Sequence, residues 1–464
     1  MSSKRKPKQP KVLSRITTGR FERRLHMTKT GAISGAMMVA NMYTDMWSGL
    51  WSSKEQRQTQ RSKKLAKQAK YLVAEMGKLK GSVVKIGQML ALYGEHLFPP
   101  EVTDALHGFE DSTTALSWAA IRAVLEQELE VSRLEELEIE PEALAAASLG
   151  QVHRAVRKSD GMKLCLKVQY PGIANAIDND LATVARLMVL TKLLSTNQTF
   201  DRLLKDIKAL LHCEVDYELE MMTTQLFYRW LANQETVIVP TVFPDYCSAK
   251  VLATSFEEGY SPTSEAVQNL SQERRNRICR SFLQVFLQEL FCWGTMQTDP
   301  NFGNYRIRIN DEGVDQLVLL DFGALRKFPK SFLEAIKHLI AGAYRADITA
   351  VVTAAVNLQL IEHSFPEEIK YSFAELCISL LEPFNYKNRK VPTQAISAYG
   401  YSWRNSQLPI RVAKQASKNA ISRYFSIPPG EFLFLQRKLL GVYTFIAVLD
   451  GQIDGCELLE SYLY

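Results

Sequence analysis

The chain has 464 residues, 46% of them apolar, with 56 Lys and Arg against 50 Asp and Glu for a formal charge of +6. That composition can bury a sizeable core, which excludes a wholly disordered chain, and at about 150 residues per domain the length fits two to three domains. The charge is divided: residues 1–80 hold 19 basic and 4 acidic side chains, leaving 37 basic and 46 acidic in residues 81–464, so an acidic body follows a basic N-terminal segment.

Residues 2–12 carry five basic side chains with Pro7 and Pro10 and read as a solvated, disordered tail. From Gly31 to Trp51, Ile33, Ala36, Met37, Ala40, Tyr43, Trp47 and Leu50 recur at three- and four-residue steps, the spacing of one helical face. Asn41 and Asp45 make it a poor membrane span. A basic lead and two tryptophans suit a helix lying on an anionic bilayer; a helix packed on the body with a solvated basic flank is the other reading. Over residues 71–92, Leu72, Met76, Leu79, Val83, Ile86 and Leu90 predict one continuous helix with a core-facing stripe. Gly77, Gly81, Lys85 and Gln88 share a second line on it. Glycine in a helix interior costs about 1 kcal/mol relative to Ala, so that line predicts close approach of another backbone.

Pro99-Pro100 ends this region, and residues 115–141 read as a further acidic, helical segment. Ala145 to Val156 reads as a small-residue loop opening into an extended segment, Ser159-Asp160-Gly161 as a turn, and Leu164–Gln169 as a strand. Helices follow to about Leu231, then short β-rich runs at 237–242 and 250–256. An amphipathic helix over 272–294 runs through Ile278, Phe282, Phe286 and Leu290. A hairpin from Tyr305 turns at Asn310–Gly313 and returns through Leu317–Leu320, and residues 330–464 read mostly as helices. Seven scattered cysteines, with no C-x-x-C pair, exclude a disulfide scaffold and a zinc module and predict buried thiols in a reducing compartment. No apolar run reaches the ~18 residues of a membrane-spanning helix.

Asp299 and Asn304 stand five residues apart after a helix, and Asp321-Phe322-Gly323 follows a hairpin, 17 residues beyond Asn304. Phosphoryl transfer needs a carboxylate near the attacking hydroxyl, with an amide oxygen and a second carboxylate to hold Mg²⁺ against nucleotide phosphates; kinases supply these as D-x-x-x-x-N and DFG. Upstream, Lys167 falls on a predicted strand where a phosphate-contacting lysine would sit, and Glu214 on a helical stretch where it could pair with that lysine. Taken singly, Lys167 reads as a solvated strand lysine and Glu214 as a solvated helix residue. Their order relative to Asp299, Asn304 and Asp321 carries the case.

The chain resembles the UbiB-like atypical kinases, and within them the mitochondrial coenzyme Q kinases and their bacterial relatives. The matching residues are Lys85-Ile86-Gly87-Gln88 (KxGQ), the alanine-rich loop Ala145–His153, Leu166–Gly172, Glu214-Val215-Asp216 (ExD) with Glu220, Gln297–Asn304 and Leu320–Gly323. The resemblance implies an α+β, protein kinase-like bilobal fold with a helical N-terminal extension and a mostly helical C-terminal lobe. The divisions expected are a basic tail and helix over 1–60, a KxGQ extension over 61–140, and lobes over 141–260 and 261–464. It also implies ATP and Mg²⁺ as cofactors. Ala145, Ala146, Ala147, Ser148, Gly150 and Lys167 would hold the nucleotide, Glu214 would pair with Lys167, and Asp299 would be the catalytic aspartate. Asn304 and Asp321 would bind the metal, and Lys85 and Gln88 would face the nucleotide site or Glu214 and Asp216, with Lys85, Gln88, Asp216 and Glu220 serving a regulatory extension.

Two departures from ordinary kinases disfavour protein substrates: Gln297-Thr298 replaces the catalytic-loop His-Arg, and no A-P-E follows Phe322-Gly323. The alanines also limit the positive φ and close approach that glycines allow a phosphate loop. The expected function is an ATP-dependent atypical kinase or ATPase supporting ubiquinone or related lipid biosynthesis at a membrane, the pathway being implied by the resemblance alone. Its expected partners are a lipid or quinone precursor, an anionic membrane surface and quinone-biosynthesis enzymes, not nucleic acid. A nucleotide-sensing scaffold and a conventional small-molecule kinase are the alternatives. Only 84 residues precede Lys85, and Pro7 and Pro10 break a targeting helix, so a bacterial cytoplasmic protein peripheral to the inner membrane is expected, with the mitochondrial matrix face as the alternative.

Overall fold

A computed structural model of the chain describes residues 54–77, 81–93, 98–109, 115–190, 198–412 and 430–463. The tail and helix expected within residues 1–53 lie outside these. The described chain falls into two units: residues up to Met222 with Val242–Phe256, and Thr223–Thr241 with Glu257–Tyr464.

In the first unit the helix expected over 71–92 is two helices, α1 (Lys54–Gly77) and α2 (Ser82–Tyr93). Gly81 lies between them with φ +59, a left-handed conformation that a Cβ strains, and its carbonyl accepts the Val84 and Lys85 N–H groups that open α2. Gly81 thus serves a turn and not a helix interior. Leu72 and Met76 on α1 and Val83, Ile86 and Leu90 on α2 are nonetheless all buried; Leu79 lies outside the described residues. After α3 (Pro100–Leu106) and α4 (Trp118–Glu128) the predicted helix to residue 141 gives way to β1 (Leu137–Ala146). Leu137 and Ile139 alternate with glutamates at the period of a strand, and Pro141 cannot continue a helix. That proline is accommodated where the register with the next strand shifts, between Ile139 and Ala143.

Strands β2 (Gly150–Arg157) and β3 (Lys163–Gln169) complete an antiparallel meander, with Gly161 at φ +73 in the turn between them. Ala145 and Ala146 are the last residues of β1, paired with Val152 and Gln151. The loop proper is therefore Ala147-Ser148-Leu149, closed by the Ala147 N–H on the Gly150 carbonyl at 2.9 Å. Helices α5 (Ile173–Leu190) and α6 (Gln198–Glu214) follow, and α2 packs on both. Buried Ser82 also donates to Asp180 of α5. This packing makes the helical extension part of the same unit as the sheet.

The chain leaves the first unit within α7 (Tyr217–Leu231), forms β4 (Val237–Ile238) in the second, and returns for β5 (Val251–Ser255), which pairs with β3 at the sheet edge. In the second unit, α8 (Gln272–Gln288) is capped by the Ser271 hydroxyl accepting the Arg274 N–H. It ends in a π-type turn, Glu289–Trp293. Strand β6 (Thr295–Gln297) pairs with β9 (Leu325–Lys327), and β7 (Tyr305–Arg308) with β8 (Gln316–Leu319), which also receives β4 in parallel. Helices α9 (Lys330–Tyr344), α10 (Ile348–Asn357) and α11 (Glu367–Leu380) follow. The short strands β10 (Ile396–Ser397) and β11 (Gly400–Ser402) come next. Then α12 (Gly430–Val448), β12 (Gln452–Ile453) and α13 (Cys456–Leu463) end the described chain. Phe282 of α8, Tyr305 of β7 and Phe445 of α12 meet in the core, with ring centroids 4.1–5.6 Å apart. Of the seven thiols, Cys279, Cys377 and Cys456 are buried, whereas Cys292 is exposed.

Gly150 has a packing reason as well as its place in the loop. A Cβ there would stand 2.6 Å from both the Val168 carbonyl and the Tyr217 hydroxyl, and the backbone oxygen cannot turn aside. Gly150→Ala is therefore expected to destabilise the protein by about 1–3 kcal/mol, read as a lowered midpoint in thermal unfolding without ligand.

His153 gives a pH signature. It is fully buried, with Nδ1 2.8 Å from the Glu140 carbonyl and Nε2 2.8 Å from the Gln151 amide nitrogen. A carbonyl only accepts, so Nδ1 carries the proton and Nε2 accepts from Gln151. Burial holds the imidazole below its ordinary value of 6.5. The unfolded chain therefore binds the extra proton first, and stability present above pH 6.5 falls as the pH drops toward the lowered folded value. Thermal midpoints between pH 5 and 8 should show that slope in the wild type and a flatter one in His153→Gln.

Candidate active site

The first unit assembles two ion pairs around the junction of α6 and α7. Along β3, Leu164, Leu166 and Val168 are buried in the core, while Lys167 alternates to the other face. Its ammonium donates to both carboxylate oxygens of Glu220, at 2.6 and 2.8 Å, and stands 5.2 Å from the centre of the Tyr217 ring. Glu220 is 2% exposed against 26% for Lys167. The partner expected for Lys167 was Glu214, but Glu214 instead meets Lys85 of α2 at 2.6 Å.

The reason is local. Glu214 ends α6, the chain turns through Val215-Asp216, and Glu220 lies in the first turn of α7. Asp216 starts that helix: its Oδ1 accepts the Leu219 N–H at 2.9 Å, as an N-cap does. Gln169 anchors the same junction by donating to the Val215 carbonyl at 2.8 Å. Gln88 is half-buried on α2. A signal for Glu220 was available, since Tyr217, Glu220, Thr224, Phe227 and Leu231 are spaced as one helical face and are all buried. A glutamate on such a face needs a cation.

The second unit holds the carboxylates and amide. β6 leads into Asp299 and β9 follows Asp321-Phe322-Gly323, so their pairing sets the two loops side by side; the Thr298 N–H reaches the Ala324 carbonyl at 2.9 Å. The Leu320 N–H donates to the Asn304 carbonyl at 2.9 Å, linking the two candidate metal residues through the backbone. Asn304 Nδ2 donates to Asp299 Oδ2 at 3.2 Å, while Asp321 Oδ1 accepts the Gly323 N–H at 2.9 Å. Phe322 is buried against Phe227, at 4.8 Å between ring centres, and its carbonyl accepts from the Thr223 hydroxyl at 3.1 Å.

Three charged residues here went unnoticed in the sequence. Arg437 of α12 donates to Asp299 Oδ1 at 2.8 Å. Beside it, Lys438 stands 2.9 Å from Glu289, both nearly excluded from water. Burial pushes the Glu289 carboxyl up, while Lys438 and the Gln297 N–H, which donates to Glu289 Oε1 at 3.0 Å, pull it back. Lys438 and Glu289 were legible as charges inside apolar helical runs. Arg437, partly exposed, offered no such signal. Burial, with the nearby carboxylates of Glu289, Asp299 and Asp321, keeps the Tyr305 phenol protonated far above its ordinary value.

The donor chemistry suits Mg²⁺. Asn304 turns its nitrogen to Asp299, which directs its amide oxygen elsewhere, and Asp321 supplies carboxylate oxygen; both residues line one small cavity with Tyr305. Among the described residues no group of three or more His, Cys, Asp or Glu is placed to hold a metal alone. A magnesium site completed by nucleotide phosphates needs no such cage.

A strand lysine pinned by a buried glutamate, D-x-x-x-x-N and DFG on this α+β framework define a protein kinase-like fold. Residues 108–355 match the ABC1 atypical kinase-like domain, and the chain belongs to that family. It is 29% identical over 406 residues to "Atypical kinase coq-8, mitochondrial" of Caenorhabditis elegans, covering 85% of this chain but only 51% of that protein. Against "Atypical kinase COQ8B, mitochondrial" of Rattus norvegicus the identity is 29% over 400 residues, 85% of this chain and 71% of the relative. For "Atypical kinase COQ8, mitochondrial" of Saccharomyces cerevisiae it is 26% over 388 residues, 83% and 74%. Among solved structures, that of Mycobacterium tuberculosis Rv3197 with erythromycin is similar in fold, with a TM-score of 0.58 at 22% identity over 88% of this chain and 98% of that one. Among the described residues no helix is long and apolar enough to cross a membrane.

Two substitutions should separate the ion pairs. Glu220→Gln removes the carboxylate that Lys167 meets at 2.6 and 2.8 Å and, on the reading that Lys167 contacts nucleotide phosphates, is expected to weaken binding of Mg-ATP about tenfold or more. Glu214→Gln acts on Lys85 and should change that affinity less. Titrating both variants with a fluorescent ATP analogue in the presence of Mg²⁺ checks the order.

Proposed function

We propose that this protein binds Mg-ATP and uses it, as an atypical kinase or ATPase, to support synthesis of ubiquinone or a related lipid at a membrane. Each unit taken by itself supports the proposal: the first through the Lys167–Glu220 pair, the second through the linked Asp299, Asn304 and Asp321. In this reading Lys167 contacts the nucleotide phosphates, and the backbone of Ala145–Gly150, with the Ser148 hydroxyl, lies against them. Asp299 orients the attacking hydroxyl or water. Asn304 and Asp321 hold Mg²⁺, which neutralises phosphate charge when bound. Glu220 keeps the Lys167 ammonium aimed, and the Lys85–Glu214 pair, with Gln88 and Asp216 nearby in sequence, fixes α2 against the α6–α7 junction.

A small-molecule or lipid acceptor is favoured over a protein. Only Ala324–Pro329 separates Gly323 from α9, and β9 occupies the middle of that stretch, which leaves little chain for a peptide platform. The link to ubiquinone rests on the motif resemblance and on the family. Attachment to an anionic membrane rests on the basic residues of 1–60. The cellular compartment follows the mitochondrial relatives in one version and a peripheral bacterial location in the other.

Purified protein is expected to show an ATP-dependent rise in thermal midpoint that requires Mg²⁺. Asp321→Asn should abolish that rise. Asp299→Asn should keep it while lowering ATP turnover by at least about 10²-fold. Absence of any Mg-ATP shift in the wild type rejects the reading, and full cellular function of Asp299→Asn would favour a nucleotide-sensing scaffold.

A further inference from the structure

Helix α12 lies outside the residues of the family match, yet one face of it is pressed against the loop that carries Asp299. Arg437 donates to Asp299 Oδ1 at 2.8 Å. Lys438 meets Glu289, which holds the Gln297 N–H two residues before Asp299. One turn beyond Arg437, Gly441 faces Pro300 so closely that a Cβ there would stand 2.1 Å from Pro300 Cβ. A further turn on, Phe445 stacks over Phe302 with ring centres 5.9 Å apart. Residues 437, 438, 441 and 445 share a helix face, and their partners span the loop.

The loop itself, Gln297–Asn304, contains no Lys or Arg. The guanidinium on Asp299 arrives instead from 138 residues away. With Arg437 on Oδ1 and Asn304 on Oδ2, both oxygens of Asp299 are engaged and its carboxylate has one orientation. We propose that Arg437 is a positioning residue for Asp299, held within reach by the close approach of Gly441 to Pro300. Its consequence for catalysis rests on the phosphoryl-transfer reading above; its effect on the loop does not. Lysine keeps the charge but carries it on a head group of different shape and reach, so Arg437→Lys should restore part of the function and not all.

The test uses the full chain as wild type, Arg437→Gln and Arg437→Lys, with two measurements. Hydrogen exchange without nucleotide should show faster exchange across residues 295–305 in Arg437→Gln and unchanged exchange in β1–β3. Steady-state kinetics should show kcat about 10²-fold lower with KM for Mg-ATP within about threefold, and an intermediate kcat for Arg437→Lys. If exchange over 295–305 equals that of the wild type, or if KM rises at unchanged kcat, the proposal is overturned. Should Arg437→Gln unfold, Arg437→Lys decides: faster exchange confined to 295–305 supports the proposal and unchanged exchange overturns it. A wild type that turns over no Mg-ATP rejects the phosphoryl-transfer reading, while exchange still decides the positioning.

Discussion

Glu289 is 1% exposed, and an ionised carboxylate so far from water costs several kcal/mol unless a cation enters with it. Lys438 is that cation. Its Nζ stands 2.9 Å from Glu289 Oε2. The other oxygen takes the Gln297 N–H. One buried pair thereby joins the turn after α8, the strand before Asp299 and a helix from the far end of the chain. Breaking either member would strand a buried charge, and the arrangement around Asp299 depends on neither being removed. The neighbouring Arg437, the Gly441–Pro300 approach and the Phe445–Phe302 stack are then all on the face that this pair has already brought in.

The first unit meets the same constraint with different parts. Lys167 must project from a sheet, and Glu220, 2% exposed, must find it from a helix 53 residues on. What aims Glu220 is backbone geometry: Asp216 caps α7 and Gln169 ties the junction to β3. Lys85 and Glu214 form a second pair on the other side of that junction. A pair of charges in each place leaves each lysine directed.

Much of the sheet and both loops of the second unit were readable as patterns. β3 and the strands of the Tyr305–Leu319 hairpin alternate at a period of two, and the Ser159–Gly161 turn carries its own turn residues, signals contained within each segment. The breaks were less readable. Leu72 to Leu90 keep helical spacing across Gly81 because both helices bury the same side, so the apolar stripe gave no sign of the turn that the +59° φ reveals. β1 hid behind glutamates, whose charge suggested an exposed helix although Leu137 and Ile139 alternated.

Order along the chain was enough to nominate the residues proposed for phosphate chemistry, because D-x-x-x-x-N and DFG are local spacings and the strand lysine has its own alternation. Partnership was another matter. Lys167 had two glutamates, 214 and 220, at similar separations; the buried face of α7 favours Glu220, and the turn at Val215-Asp216 and the packing of α2 give Glu214 to Lys85 instead. Arg437 lies 138 residues from Asp299 in a partly exposed helix position. An ion pair leaves no mark on the periodicity of either segment, since it depends on where two faces meet after folding.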